Sequence, residues 1–208
     1  MNNLILFRWL FCFVLCLCAS IANASSSFIT IHLKHGVSVD LPGNWHVLSD
    51  NQRKTLSDYV QSKTGSTDAD SELNFAANYY DDNGNTAATF NIRYYPEQEV
   101  TQSDSDTTTE ADIKDFDEAI RAGITLGIQR TGGRVLSWRG TKKQHINGIV
   151  AFVTEYRRAS IQGGYPFRTR LIRVLNAERS FTVTVSYRED QGFLLRKICD
   201  RIIQSIRM

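Results

Sequence analysis

Recognisable catalytic motifs are absent from this sequence. It contains no Gly-x-Ser-x-Gly nucleophile turn and no glycine-rich loop of the kind that holds phosphate. It also shows no internal repeat and no composition shift that would mark a second domain. A Ser-His-Asp arrangement is assembled in space from distant residues, so an enzyme without a linear motif stays open as an alternative. The absences favour a protein that binds over one that catalyses.

Cysteine is too scarce to build a disulfide framework. Of four cysteines, Cys12, Cys16 and Cys18 lie in an apolar N-terminal segment, which leaves Cys199 for the rest of the chain. The fold must therefore rest on its hydrophobic core. Cys199 lies in a helical pattern of apolar and basic residues, so we expect a half-buried core residue rather than a reactive thiol.

The N-terminal segment is typical of a secretory signal peptide. Arg8 precedes a short apolar run from Trp9 to Ile21, and Ala22-Asn23-Ala24 supplies the small residues of a cleavage site. The apolar run is shorter than the ~20 residues that a membrane span needs. We predict a signal peptide over residues 1–24, cleavage after Ala24, and a periplasmic or secreted protein without a transmembrane anchor after cleavage.

Charge is unevenly divided along the remaining chain, which we predict to be one domain over residues 25–208. Residues 25–118 carry 17 acidic and 6 basic side chains, whereas residues 119–208 carry 5 acidic and 17 basic ones. Two arrangements stay open. Acidic and basic segments lie side by side within the fold, or a dipolar surface steers a charged partner.

The segment from Gly36 to Trp45 alternates apolar and polar residues. This period of two is typical of a strand with one buried face. The strand ends at a Pro42-Gly43 turn, and Trp45 places a large apolar group just beyond it. We predict the first core strand here, anchored by Trp45, with its buried face formed by Val37, Val39 and Leu41.

Periodicity elsewhere predicts an α+β domain in which helices pack on an antiparallel sheet. Asn-Gly pairs at Asn83-Gly84 and Asn147-Gly148 predict hairpins. Residues 97–108 are acidic and rich in hydroxyl groups, which predicts a flexible surface loop. Strands are predicted at residues 28–33, 37–41, 73–79, 88–94, 134–138, 149–158, 167–175 and 181–187, and helices at about 50–63, 109–131 and 191–206. The apolar face of the last helix is predicted to contain Leu194, Leu195, Ile198, Ile202, Ile203 and Ile206.

The chain resembles the Mog1/PsbP-like superfamily, which includes bacterial envelope proteins related to DcrB and the photosystem protein PsbP. The resemblance is carried by four features: the strand and turn Gly36 to Trp45, the helix Ile113 to Ile128, the strand Phe181 to Tyr187, and the closing helix through Ile206. It implies an α/β/α sandwich, a central antiparallel sheet flanked by helices. It also implies protein binding without shared catalytic residues, although fold analogy does not supply function.

Candidate metal ligands are sparse. His32 and His35 form an H-x-x-H pattern on a strand and the following turn, but zinc needs further ligands. The turn from Asp81 to Asn85 lacks the glutamate that completes a calcium loop. We therefore expect no metal and no cofactor.

The most informative polar residues are basic and surround the Gly163-Gly164 turn. One interpretation is a solvated sheet edge that is paired with acidic residues of the first half. The other is a docking surface for an acidic protein partner or an anionic envelope lipid. Nucleic acid is not expected for an exported chain. The candidate partner-binding residues are Arg157, Arg158, Tyr165, Arg168, Arg170 and Arg173.

These observations predict an exported, non-catalytic protein-binding module of the bacterial cell envelope. An immunity or adaptor protein is one specific form of this hypothesis. The alternative is a periplasmic hydrolase or metal-dependent enzyme, which only scattered histidine and acidic residues motivate.

Overall fold

The computed structural model describes residues 27–64, 72–95, 99–161, 163–177 and 180–207. The predicted signal peptide, the predicted loop at residues 65–70 and the strand end at Pro96 lie outside these ranges. The strands are β1 (Phe28–His32), β2 (Ser38–Pro42), β3 (His46–Val47), β4 (Glu72–Tyr80), β5 (Thr86–Tyr95), β6 (Val135–Ile146), β7 (Ile149–Arg158), β8 (Phe167–Val174) and β9 (Ser180–Arg188). The α-helices are α1 (Asp50–Thr64), α2 (Gln102–Thr107), α3 (Glu110–Arg130) and α4 (Gly192–Gln204).

Within the described ranges, seven strands form one antiparallel sheet in the order β3-β4-β5-β9-β8-β7-β6. The hairpins β4–β5 and β6–β7 turn at the two predicted Asn-Gly pairs. Asn147 and Gly148 both adopt positive φ, which is what a tight hairpin turn requires. The sheet and its flanking helices confirm the predicted α+β class and the α/β/α layering.

One face of the sheet, which we call the α4 face, carries the main hydrophobic core. Alternate residues of the central strands point to this face, including Phe90 on β5 and Val183 and Val185 on β9. The helix α4 and the β1–β2 ribbon cover them and contribute Leu195, Ile202, Val39 and Leu41. Burial of this apolar surface is the main source of stability.

The opposite face, which we call the α3 face, is more polar beneath its helices. Phe116 of α3 packs edge-on against Phe152 of β7, with ring centroids 5.2 Å apart. Thr141 and Thr154 share a hydrogen bond of 2.7 Å in the buried layer. Trp138 donates its indole N–H to Asp117 of α3 at 3.0 Å. These bonds satisfy polar groups that burial would otherwise penalise.

The predicted opening strand has its apolar face buried as expected, with Val39 and Leu41 fully inaccessible to solvent. The sequence did not indicate its layer: β2 pairs with β1 in a separate two-stranded ribbon that packs on the α4 face of the central sheet. The other edge of β2 meets the residues after α4, where Ser205 Oγ accepts the N–H of Asp40 at 2.8 Å.

A short helix, α2, occupies part of the segment predicted as a loop. Thr101 and Asp104 form a capping box at its N-terminus, in which each side chain bonds the other residue's backbone. Gln102 then bonds the backbone of Val150 and Leu175, which attaches α2 to strand β7. The sequence Gln102 to Thr107 has no apolar period, so the prediction missed this helix.

The predicted apolar face of α4 is confirmed at Leu195, Ile202, Ile203 and Ile206, Ile198 packs partly buried against the core, and Leu194 is the exception. Leu194 was assigned to the core, but it is 60% exposed, whereas Leu195 is 1% exposed. Cys199 takes the next core position, four residues on, and is fully buried rather than half-buried. The buried stripe of α4 and its C-terminal extension is Leu195, Cys199, Ile202, Ile203 and Ile206.

Cys199 is expected to resist alkylation in the folded protein. Burial raises the pKa of its thiol to about 12, so almost no thiolate exists at neutral pH. Iodoacetamide at pH 8 should leave Cys199 unmodified until denaturant unfolds the chain, as peptide mass spectrometry would report. Rapid modification under native conditions would show that α4 does not hold Cys199 in the core.

Candidate functional site

The N-terminal end of α4 presents an exposed apolar pair with cations beside it. Phe193 is 86% exposed and Leu194 is 60% exposed. The ammonium group of Lys197 lies 4.7 Å from the centroid of the Phe193 ring. Exposed aromatic residues next to cations are typical of protein interfaces. We call this surface the α4 ridge, defined as Phe193, Leu194, Arg196, Lys197 and Arg201.

A shallow concavity of about 630 Å³ lies between the α4 ridge and the ends of β8 and β9. Phe193 and Lys197 form its wall on the helix side. Arg168 of β8 and Tyr187 of β9 line the sheet side. The concavity offers an apolar contact and a cation within one depression, which a protruding side chain of a partner could fill.

Ion pairs hold the arginines beneath the ridge in place. Arg157 donates to both carboxylate oxygens of Glu189, at 2.7 Å and 2.5 Å. These hydrogen bonds lower the pKa of Glu189, so it stays ionised. Arg168 approaches the same carboxylate at 3.4 Å. Arg170 pairs with Glu155 at 2.7 Å and with Asp200 of α4.

The outward cations of the α4 ridge are less neutralised. Arg196 approaches Asp200 only at 3.8 Å. Lys197 and Arg201 form no ion pair with the described residues and instead lie over the rings of Phe193 and Phe28. The ridge therefore carries an excess of positive charge, which would attract an acidic partner.

The structure distributes the six predicted site residues over two faces. Consecutive residues of a strand point to opposite faces, so Arg157 and Arg158 diverge. Arg173 lies under α3, with its guanidinium 5.8 Å from the Phe116 ring. Tyr165 lies in the β7–β8 loop, 58% exposed. The α4 face holds Arg157, Arg168 and Arg170, and the α3 face holds Arg158 and Arg173.

The sheet-edge interpretation of these arginines does not hold. β7 and β8 are interior strands, because β6 and β3 form the two edges of the sheet. The partners of Arg157 and Arg170 are Glu155, Glu189 and Asp200, all from the second half of the chain. The two halves do meet elsewhere, since Arg188 pairs with Asp81 at 2.8 Å and Arg207 with Asp40 at 3.0 Å.

Phe193 and Lys197 were missed as candidate site residues. The sequence does contain a signal, because Phe193, Leu194 and Leu195 are three consecutive apolar residues and one helix face cannot bury them all. The burial of Cys199 shows which side of α4 faces the core. With Leu195 and Cys199 directed to the core, Phe193 and Leu194 are left in solvent.

Metal clusters and membrane-spanning helices are both absent from the described part of the chain. No group of three or more His, Cys, Asp or Glu side chains there has an arrangement that could hold a metal ion. No helix in the same ranges is long and apolar enough to cross a membrane.

Comparison with known proteins identifies the fold. No protein-family model and no curated protein sequence matches the chain. The solution structure of cyanobacterial PsbP (CyanoP) from Synechocystis sp. PCC 6803 superposes with a TM-score of 0.55 at 13% identity, covering 90% of this chain and 95% of that one. The chain therefore has the PsbP-like fold, as the sequence predicted.

Two more distant structures share part of this similarity. LpqN, involved in cell envelope biogenesis of Mycobacterium tuberculosis, gives a TM-score of 0.44 at 9% identity, covering 86% of this chain and 89% of that one. The T6SS immunity protein TplEi from Pseudomonas aeruginosa was solved in complex with the "L" peptide. It gives a TM-score of 0.40 at 10% identity, covering 89% of this chain and 99% of that one. Such identities concern fold and not function. The relation to DcrB stays a prediction.

Proposed function

We propose that residues 25–208 form one exported, non-catalytic module of the cell envelope, periplasmic or secreted, that binds an acidic protein partner at the α4 ridge. The observation that carries the proposal is the exposed pair Phe193 and Leu194 beside Lys197, which forms no ion pair with the described residues. Among the described residues Phe193 is the most exposed large apolar side chain, at 86%, and aromatic side chains are enriched in protein interfaces. An immunity or adaptor protein would use such a surface.

The α4 ridge would offer a partner two kinds of contact, an apolar one at its centre and charged ones around it. Phe193 would bury most of its exposed ring against the partner, which is the kind of contact that dominates interface energies. Arg196, Lys197 and Arg201 would meet carboxylates around it and speed association. Arg168, held by Glu189, presents a cation that is already oriented in the concavity.

Substitutions on the ridge are expected to abolish partner capture. Phe193→Ser removes the anchor, and Lys197→Glu places a negative charge where an acidic partner docks. In pull-downs from envelope extracts, each variant should lower recovery of a specific partner at least tenfold, since interface hot spots exceed about 2 kcal/mol. Quantitative mass spectrometry against the unmodified protein would measure the loss.

Matched substitutions on the α3 face provide the control. Leu126 of α3 is 48% exposed, and Arg121 is an exposed cation on the same helix. Leu126→Ser and Arg121→Glu make the same chemical changes away from the ridge and should leave recovery unchanged. Equal losses from both sets of variants, or no loss from Phe193→Ser, would refute the ridge as the binding surface.

A further inference from the structure

A second cavity, of about 700 Å³, opens on the α3 face at the end of the sheet. It lies where the β4–β5 turn approaches the β7–β8 loop. Aromatic and hydroxyl side chains line it together with two arginines, Arg158 and Arg188, and the other residues that matter here are Tyr59, Thr86, Thr89, Tyr165 and Phe167. Its size and mixed lining are those of a small-molecule site.

Arg158 is the unusual member of this cavity. Among the described residues its side chain forms no ion pair and no hydrogen bond, and its guanidinium lies 4.7 Å from the centroid of the Phe167 ring. The side chain is partly buried, and this burial lowers its pKa. A buried cation without an anion is costly, so such a residue usually has a counter-ion.

The other arginine of the cavity is already neutralised. Arg188 lies in register with Phe167, which lies in register with Arg158, so the three side chains share one face of β9, β8 and β7. Arg188 pairs with Asp81 at 2.8 Å and with Asp190 at 2.8 Å. Among the charged residues that line the cavity, Asp81 balances Arg188, which leaves the positive charge of Arg158 without a carboxylate of its own, while Asp190 lies outside the lining.

We propose that this cavity binds a small monoanionic carboxylate with an apolar or aromatic body. The guanidinium of Arg158 would hold the carboxylate by a two-pronged hydrogen bond. Phe167, Tyr165 and Tyr59 would contact the apolar body, and the hydroxyls of Thr86 and Thr89 lie in the cavity lining. A phosphate dianion fits less well, because Asp81 also lines the cavity and would repel a second negative charge.

The site is independent of the α4 ridge. Arg158 and Arg168 lie on opposite faces of the sheet, and the two cavities share no lining residue. A ridge substitution that abolishes partner capture should therefore leave carboxylate binding intact, and the two proposals can fail separately.

Benzoate is a suitable probe, with the isosteric neutral benzamide and inorganic phosphate as comparisons. Isothermal titration calorimetry of the purified protein should show benzoate binding at least tenfold more tightly than benzamide or phosphate. Arg158→Gln should lower benzoate affinity at least tenfold, because it removes the charged donor of the two-pronged hydrogen bond. Arg121→Gln, the same substitution at an exposed arginine of α3 outside the cavity lining, should leave it unchanged.

A stability measurement separates a ligand role from a structural one. Arg158→Gln removes an unpaired, partly buried cation, so the thermal midpoint without ligand should stay the same or rise. Benzoate should raise the midpoint of the unmodified protein and not that of the variant. The proposal is overturned if benzoate does not bind, if benzamide or phosphate binds as tightly, or if the variant retains full affinity.

Discussion

Replacement of Trp45 by alanine is expected to lower the free energy of unfolding by about 3–5 kcal/mol, the usual cost of truncating a buried tryptophan. Trp45 is 6% exposed and stacks on Tyr79 of β4, with ring centroids 6.3 Å apart. It lies at the point where the chain passes from the β1–β2 ribbon to strand β3. Its loss would leave a cavity between the ribbon and the sheet.

Urea denaturation followed by far-UV circular dichroism would measure the effect. Val47→Ala is the matched control, because Val47 is two residues away in β3 but 42% exposed. That substitution should change stability by no more than about 0.5 kcal/mol. A neutral Trp45→Ala result would mean that the turn is not anchored in the core.

Two adjacent leucines of α4 are expected to respond very differently to truncation. Leu195→Ala should cost about 2–5 kcal/mol, because Leu195 is 1% exposed in the core of the α4 face. Leu194→Ala should cost about 0.5 kcal/mol or less, because its side chain is mostly in solvent. The pair tests the phase of the helix on which the proposed binding surface depends.

The same denaturation curves would report both variants, and partner capture adds a second measurement. Leu194→Ala should weaken capture while it leaves stability nearly intact. Leu195→Ala should unfold the protein at lower urea without a specific effect on binding by the folded fraction. Equal destabilisation by the two substitutions would place Leu194 in the core and remove it from the ridge.

Local sequence signals predicted most of the secondary structure. Alternation identified β5 and β7, because one face of each strand is more apolar than the other. Asn-Gly pairs identified their hairpin turns, because those residues accept positive φ. Such signals depend on neighbouring residues alone, so they can be recognised without knowing the fold.

Features that depend on the tertiary arrangement were harder to predict from the sequence. Alternation showed that Val39 is buried, but β2 would look the same in the sheet or packed on its face. The phase of α4 was ambiguous because Leu194 and Leu195 are both apolar. Arg157 and Arg158 were grouped although strand geometry separates them. The two candidate sites depend on segments far apart in sequence, which no local pattern brings together.

The strand order of the sheet also determines when the central sheet can be completed. β9 is the last strand in sequence but lies in the middle, between β5 and β8. Without β9, the edges of β5 and β8 that it pairs with have no partner, and the two parts of the sheet cannot be joined. At roughly 5–20 residues per second of synthesis, the chain is without its closing strand for most of translation. Completion of the central sheet therefore depends on a strand that follows the other strands along the described part of the chain.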